Sequence, residues 1–134
     1  MFDTFIGGAG GGGGSGGSGL PLILGSQASP VLITAAGGLS IPTGSPVVVA
    51  YIKGNGGAVV VTALPSISTA GLVVGTQLLV LGTDDTNTVT FQTDTDLSGS
   101  KLKINGPVVL DSVNGIPLVL GADGFWRQSA GTVK

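Results

Sequence analysis

From Leu20 onward, short runs of Leu, Ile and Val alternate with clusters of Gly, Pro, Asn and Asp. Each apolar run has the length of an ordinary β-strand, and the clusters between them are typical of turns. No stretch shows capped helical periodicity, so we predict an all-β chain. The ten predicted strands are residues 20–24, 31–34, 47–52, 58–64, 77–82, 88–92, 101–104, 107–110, 116–120 and 125–128.

The spacing of these runs, about 10–12 residues, is typical of β-sandwiches and barrels. We therefore expect residues 20–134 to form a compact antiparallel β-sandwich or barrel, jelly-roll-like in character. Residues 51–57 are rich in Gly and Asn and are expected to be a hairpin turn between the third and fourth strands.

The first 19 residues differ from the rest of the chain. Residues 7–19 contain only Gly, Ser and Ala, and they hold ten of the 26 glycines. Such a segment has high backbone entropy and few side chains to pack, so we separate an N-terminal arm, residues 1–19, from a β domain, residues 20–134. Phe2, Phe5 and Ile6 precede the glycines and are expected to anchor the arm in a partner protein. The alternative is a flexible linker.

The predicted strands 47–52 and 58–64 are apolar on both faces, whereas residues 88–92 and 101–104 alternate between polar and apolar side chains. A strand that is apolar on both faces in a small domain needs cover on two sides. We therefore expect burial at a subunit interface, with a thick single-chain core as the alternative. The candidate interface residues are Val47, Val49, Tyr51, Val59 and Val61.

Composition supports association between copies. Hydrophobic residues make up 42% of the 134 residues, and only 9% are charged, for a formal net charge of -2. Ordinary domains are roughly 25% charged. A chain this apolar is expected to cover its surface by association with other subunits. It is not expected to span a membrane, because no apolar run approaches the roughly 18 residues that a membrane span needs.

The residue types also limit the chemistry. The chain has no His and no Cys, so it lacks Ser–His and Cys–His pairs and thiolate or imidazole metal sites. Its five Lys and Arg residues are too few for the basic surface of a nucleic-acid binder. We expect no enzymatic activity and no cofactor. Asp84, Asp85, Asp94 and Asp96 could hold a hard cation, but they lack EF-hand spacing, and solvated turns are the favoured interpretation.

Near the C-terminus, Asp123 and Gly124 predict a tight turn between the last two strands. Phe125 and Trp126 follow directly, and alternate residues of a strand point to opposite faces. One of the two aromatic rings is therefore expected in the core, and the other at an interface or in solvent.

Residues 71–92 and 106–128 contain a strand that follows G-x-x-x-G, a T-D-x-x-N-x-V-T-F segment and a D-G-x-W ending. The pattern resembles a module of bacteriophage virion proteins and covers roughly 60 of the 134 residues. The matching positions are Gly71, Gly75, Thr83, Asp84, Asn87, Val89, Phe91, Leu110, Gly115, Leu118, Leu120, Asp123, Gly124 and Trp126.

Such modules are trimeric β-rich domains of head fibres, capsid decoration (cement) proteins and tail fibres. The resemblance implies a structural role in the virion, with assembly in the host cytoplasm and the major capsid protein or another virion protein as partner. The expected function is that of a homotrimeric decoration or head-fibre subunit attached through its N-terminal arm. The alternative is a tail-fibre or tail-adaptor module that binds a host surface receptor.

Overall fold

A computed structural model of the chain describes residues 20–130. These residues form ten β-strands and no helix, which confirms the all-β prediction. Each strand lies within a predicted apolar run or extends it by a residue or two. The strands are β1 (Leu22–Leu24), β2 (Val31–Ile33), β3 (Val47–Gly54), β4 (Val59–Val60), β5 (Gln77–Gly82), β6 (Val89–Phe91), β7 (Leu102–Lys103), β8 (Val108–Leu110), β9 (Gly115–Leu120) and β10 (Trp126–Gln128).

Two parallel strand pairs with the same long sequence offset organise the middle of the fold. In β3 and β5, Val47 lies opposite Gln77, and in β4 and β6, Val59 lies opposite Val89. The partners in both pairs are 30 positions apart in the sequence. Two successive 30-residue stretches are therefore stacked on each other, as the coils of a β-solenoid are.

The stacking gives two sheets. The large sheet has seven strands in the order β1-β3-β5-β9-β10-β7, with β2 also paired to β3, and the small sheet has the order β4-β6-β8. Antiparallel pairs join β5 to β9, β6 to β8 and β9 to β10. The last part of the chain thus folds back over the coils and ends the stack.

The structure corrects the expected antiparallel sandwich or barrel to a solenoid-like arrangement. Residues 51–57 do not form a hairpin, because β3 and β4 belong to different sheets. The N–H of Gly54 donates instead to the carbonyl of Asn87, at 2.8 Å, one coil further along. A corner between sheets and a hairpin use the same turn residues, so local sequence does not distinguish them.

The core lies between the two sheets and follows strict alternation. In β3, Val48, Ala50 and Ile52 point inward and are fully buried, whereas the side chains between them are half-buried on the outside. The largest fully buried side chains are Trp126 and Phe91. Burial of such residues contributes about 25 cal/mol per Å² of apolar surface, which makes this interior the main source of stability.

Two glycines allow the chain to turn from the large sheet into the next side of the coil. Gly54 and Gly82 are the buried last residues of β3 and β5. A Cβ on Gly82 would lie 2.1 Å from the carbonyl oxygen of Asp111, and one on Gly54 would lie 2.1 Å from that of Gly57. Only glycine fits where backbones approach so closely.

Candidate functional site

The outward side of the large sheet carries a continuous apolar surface. Ile23, Val49, Leu79 and Pro117 lie opposite one another on four neighbouring strands, β1, β3, β5 and β9. Ile23 is 53% exposed, and the other three are half-buried. We call this surface the outer face. Its other apolar members are Val47, Tyr51, Leu81 and Val119.

The structure divides the five predicted interface residues between two environments. Val47, Val49 and Tyr51 belong to the outer face. Val59 and Val61 point into the core instead, and Val61 is 0% exposed, so it has no surface left for another subunit. Alternation along the strand makes Val60, between them, the outward residue, and it is 50% exposed on the small sheet.

The charged residues on the outward side of these strands lie at the margins of the outer face. Lys53 is near the end of β3, and Arg127 lies on β10 opposite Val119. The row formed by Ile23, Val49 and Leu79 on neighbouring strands carries no charge. Another apolar surface can therefore cover this row without removing water from a charged group.

The C-terminal hairpin has the predicted turn. Gly124 adopts a positive φ of 81°, and the N–H of Gly121 donates to the carbonyl of Phe125 at 2.9 Å. Trp126 is 0% exposed, and its Nε1–H donates to the carbonyl of Ser68 at 3.2 Å. The core therefore holds Trp126, and the half-buried Phe125 is the outward ring.

Around Phe125, three cations of two distant segments come together, and we call this set, with the ring, the cationic cluster. The Nζ atoms of Lys101 and Lys103 lie 4.9 and 4.7 Å from the centre of the Phe125 ring. Arg127 is opposite Lys103 where β10 pairs with β7. Arg127 Nη2 and Lys103 Nζ lie 2.6 and 3.3 Å from the same oxygen, Oδ2 of Asp123.

Lys101 is held in an unusual conformation. Its φ of 64° is the only positive value of a non-glycine residue in the described range 20–130. For a residue with a Cβ this region costs about 1 kcal/mol or more. The Lys101 N–H donates to Asp94 Oδ1 at 3.2 Å, and its carbonyl accepts from the N–H of Trp126 at 2.9 Å. These hydrogen bonds keep the backbone there and direct the side chain to Phe125.

Asp123 is ionised within this cluster. Loss of solvent raises the pKa of Asp123, but the N–H of Phe125 and the hydrogen bonds from Lys103 and Arg127 act in the other direction. The net effect lowers the pKa below its usual value. The carboxylate is therefore charged at neutral pH and forms true ion pairs with Lys103 and Arg127.

The cationic cluster was not expected from the sequence, because five Lys and Arg residues are too few for an extended basic surface. Lys101 and Lys103 are two positions apart, as are Phe125 and Arg127, and in an extended segment this spacing would put each pair on one face. That signal was available in the sequence. The two pairs of residues meet because β7 lies parallel to β10, and this long-range contact could not be seen in the sequence.

Three of the four candidate cation ligands, Asp84, Asp85 and Asp94, accept hydrogen bonds from backbone N–H groups instead. The N–H groups of Asn87 and Thr86 donate to Asp84 Oδ1 and lower the pKa of Asp84. The hydroxyl and N–H of Ser112 likewise lower the pKa of Asp85.

Asp94 Oδ1 accepts from the N–H of Gly99 at 3.0 Å, and Asp96 is exposed. Within the part of the chain that the structure describes, no three acidic, His or Cys side chains form a group that could hold a metal ion.

The anchor residues Phe2, Phe5 and Ile6 lie outside the described residues. Among residues 20–130 there is no helix with the length and apolar character needed to cross a membrane.

Comparisons with protein-family models, with curated proteins and with solved structures found no match to this chain.

Proposed function

We propose that this chain is a non-enzymatic structural subunit of a bacteriophage virion, a capsid decoration (cement) or head-fibre protein. In this proposal it forms a homotrimer through the outer face and attaches to the major capsid protein or another virion protein through Phe2, Phe5 and Ile6. The observation that carries the proposal is the uncharged row of apolar residues on the outer face, which crosses β1, β3, β5 and β9. The resemblance of residues 71–92 and 106–128 to virion modules supports it.

A second copy of the same chain is the occupant that best suits the outer face. In a homotrimer, the uncharged row of residues centred on Leu79 would face the threefold axis and meet the outer faces of the two other subunits without burying an unpaired charge. A closed cyclic assembly covers the outer face in every subunit. A chain with only 9% charged residues gains solubility from that cover.

A second candidate function is receptor binding as a tail-fibre or tail-adaptor module. The order of the large sheet favours it, because β1, which follows the arm, and β7, which carries Lys103, are at opposite ends of that order. A subunit anchored by its arm would then present the cationic cluster away from the anchor.

Replacing Leu79 with Asp is expected to dissociate the trimer into folded monomers. Asp is too short to extend its charge out of the interface, so association would bury one carboxylate per subunit. Analytical ultracentrifugation of the parent should give three chain masses, and the variant one. The control is Val109→Asp, at a 50% exposed position of the small sheet, which should stay trimeric. A folded monomeric parent would refute the assembly.

Deletion of residues 1–19 is expected to leave the trimer intact and to abolish its incorporation into particles. The reason is that the proposal assigns attachment to the arm and assembly to the β domain. Phage particles grown with full-length or truncated protein would be purified and compared by quantitative immunoblot and particle imaging. Full occupancy by the truncated chain would overturn the anchoring role of Phe2, Phe5 and Ile6.

A further inference from the structure

Three of the five Lys and Arg residues of the chain lie in the cationic cluster. Among the described residues, Asp123 is the only carboxylate that forms an ion pair with them. The Asp94 carboxylate also lies at the cluster, with Oδ1 3.2 Å from the Lys101 backbone nitrogen, so three positive charges face two negative ones. This leaves a local excess of one positive charge, in a chain whose net charge is -2. The cluster therefore attracts an anion, although the chain as a whole does not.

The arrangement is costly without a further anion. Two ammonium groups lie within 5 Å of one ring centre, and a guanidinium shares a carboxylate oxygen with one of them. The ammonium of Lys103 and the guanidinium of Arg127, which share this oxygen, repel each other, and Asp123 and the quadrupole of Phe125 offset this only in part. The left-handed backbone of Lys101 adds strain, and strain of this kind is concentrated at ligand-binding positions. A bound anion would relieve the repulsion.

We infer that the cationic cluster of Lys101, Lys103, Phe125 and Arg127 is a binding site for an acidic carbohydrate, a sugar that carries a carboxylate. Lys103 and Arg127 already bind one oxygen of Asp123 together, and their remaining N–H donors would bind the sugar carboxylate in the same way. The half-buried Phe125 ring offers an apolar surface for the C–H face of the sugar.

Access to the cluster is open. The side chains of Lys103 and Arg127 are 46% and 49% exposed, and β7 is the last strand of the large sheet. All four residues of the site belong to one chain, so the inference does not depend on the trimer proposed above.

The test is a calorimetric titration of the full chain at low ionic strength with trigalacturonate, a trisaccharide with three carboxylates. Galactotriose, which has no charge, and the peptide Asp-Asp-Asp, which has no sugar, are the comparison probes. We expect saturable binding of trigalacturonate, at least tenfold weaker binding of both comparison probes, and loss of affinity at high salt because exposed charges are screened.

Four variants locate the site. Lys103→Gln and Lys101→Asn are each expected to weaken trigalacturonate binding about tenfold, the effect of one charge-assisted hydrogen bond. Asn tolerates the left-handed region, so Lys101→Asn should keep the parent's melting temperature. Phe125→Leu should weaken trigalacturonate binding and leave any binding of Asp-Asp-Asp unchanged. The control Lys53→Gln removes a cation outside the cluster and should bind like the parent.

Three results would overturn the inference. Absence of trigalacturonate binding would remove the ligand class. Equal affinity for Asp-Asp-Asp would show that the cluster recognises charge alone. Binding that Lys53→Gln weakens as much as Lys103→Gln does would place the ligand elsewhere. Ultracentrifugation of the same samples keeps this test separate from the assembly, since a monomeric chain can still bind the sugar.

Discussion

Replacing Trp126 with Ala is expected to lower the free energy of unfolding by about 3–5 kcal/mol. Trp126 is the largest fully buried side chain, and its ring fills the space between β10 and the segment around Ser68. Truncation removes the apolar contacts of the ring and leaves a cavity that the surrounding strands cannot fill. It also removes the indole N–H that donates a hydrogen bond to the Ser68 carbonyl. Since small domains are stable by about 5–15 kcal/mol, the loss is severe.

Urea denaturation at fixed protein concentration measures this effect, because association makes apparent stability depend on concentration. The control is Phe125→Ala at the neighbouring, outward position. It removes the ring that the Lys101 and Lys103 ammonium groups approach and should cost about 1 kcal/mol or less. Equal losses for the two variants would contradict the division of the hairpin into a core ring and a surface ring.

Replacing Gly82 with Ala is expected to destabilise the fold by about 3 kcal/mol, the upper end of the usual range for overpacking. The added methyl group would meet the Asp111 carbonyl oxygen at 2.1 Å and the Asp111 nitrogen at 2.7 Å. Both are backbone atoms, so no side chain can turn away to make room. Relief requires that β5 move away from the segment after β8, which would break the hydrogen bond from the Gly82 N–H to Asn114.

Gly56→Ala is the matched control for this prediction. Gly56 has a positive φ of 79°, and a Cβ there would meet nothing within 4 Å. The change should cost only the backbone strain of a left-handed Ala, about 1 kcal/mol. Thermal melts of the two variants beside the parent measure the difference. A Gly82→Ala melt that matches that of Gly56→Ala would mean that the coil corner tolerates a wider backbone separation.

Local pattern identified the strands and not their partners. Strand β5 begins and ends where the apolar run 77–82 does, because a short β-branched and Leu-rich segment between turn residues prefers an extended conformation wherever it packs. Backbone ladders, in contrast, form equally well with any extended neighbour. Hairpins between sequence neighbours were therefore the natural expectation for residues 51–57, and the 30-residue register of β3 on β5 was not accessible from the run itself.

The same division applies to the candidate sites. The sequence by itself determined the all-β class, the Asp123–Gly124 turn and the fact that Phe125 and Trp126 face opposite ways, because turn preference and strand alternation act over a few residues. The inward direction of Trp126 and Val61 depended on the tertiary structure.

The approach of Lys101 and Lys103 to Arg127 also depended on the tertiary structure. Each depends on which distant strand lies alongside, and that choice is made by burial of the whole core and by the close contacts that only Gly54 and Gly82 permit.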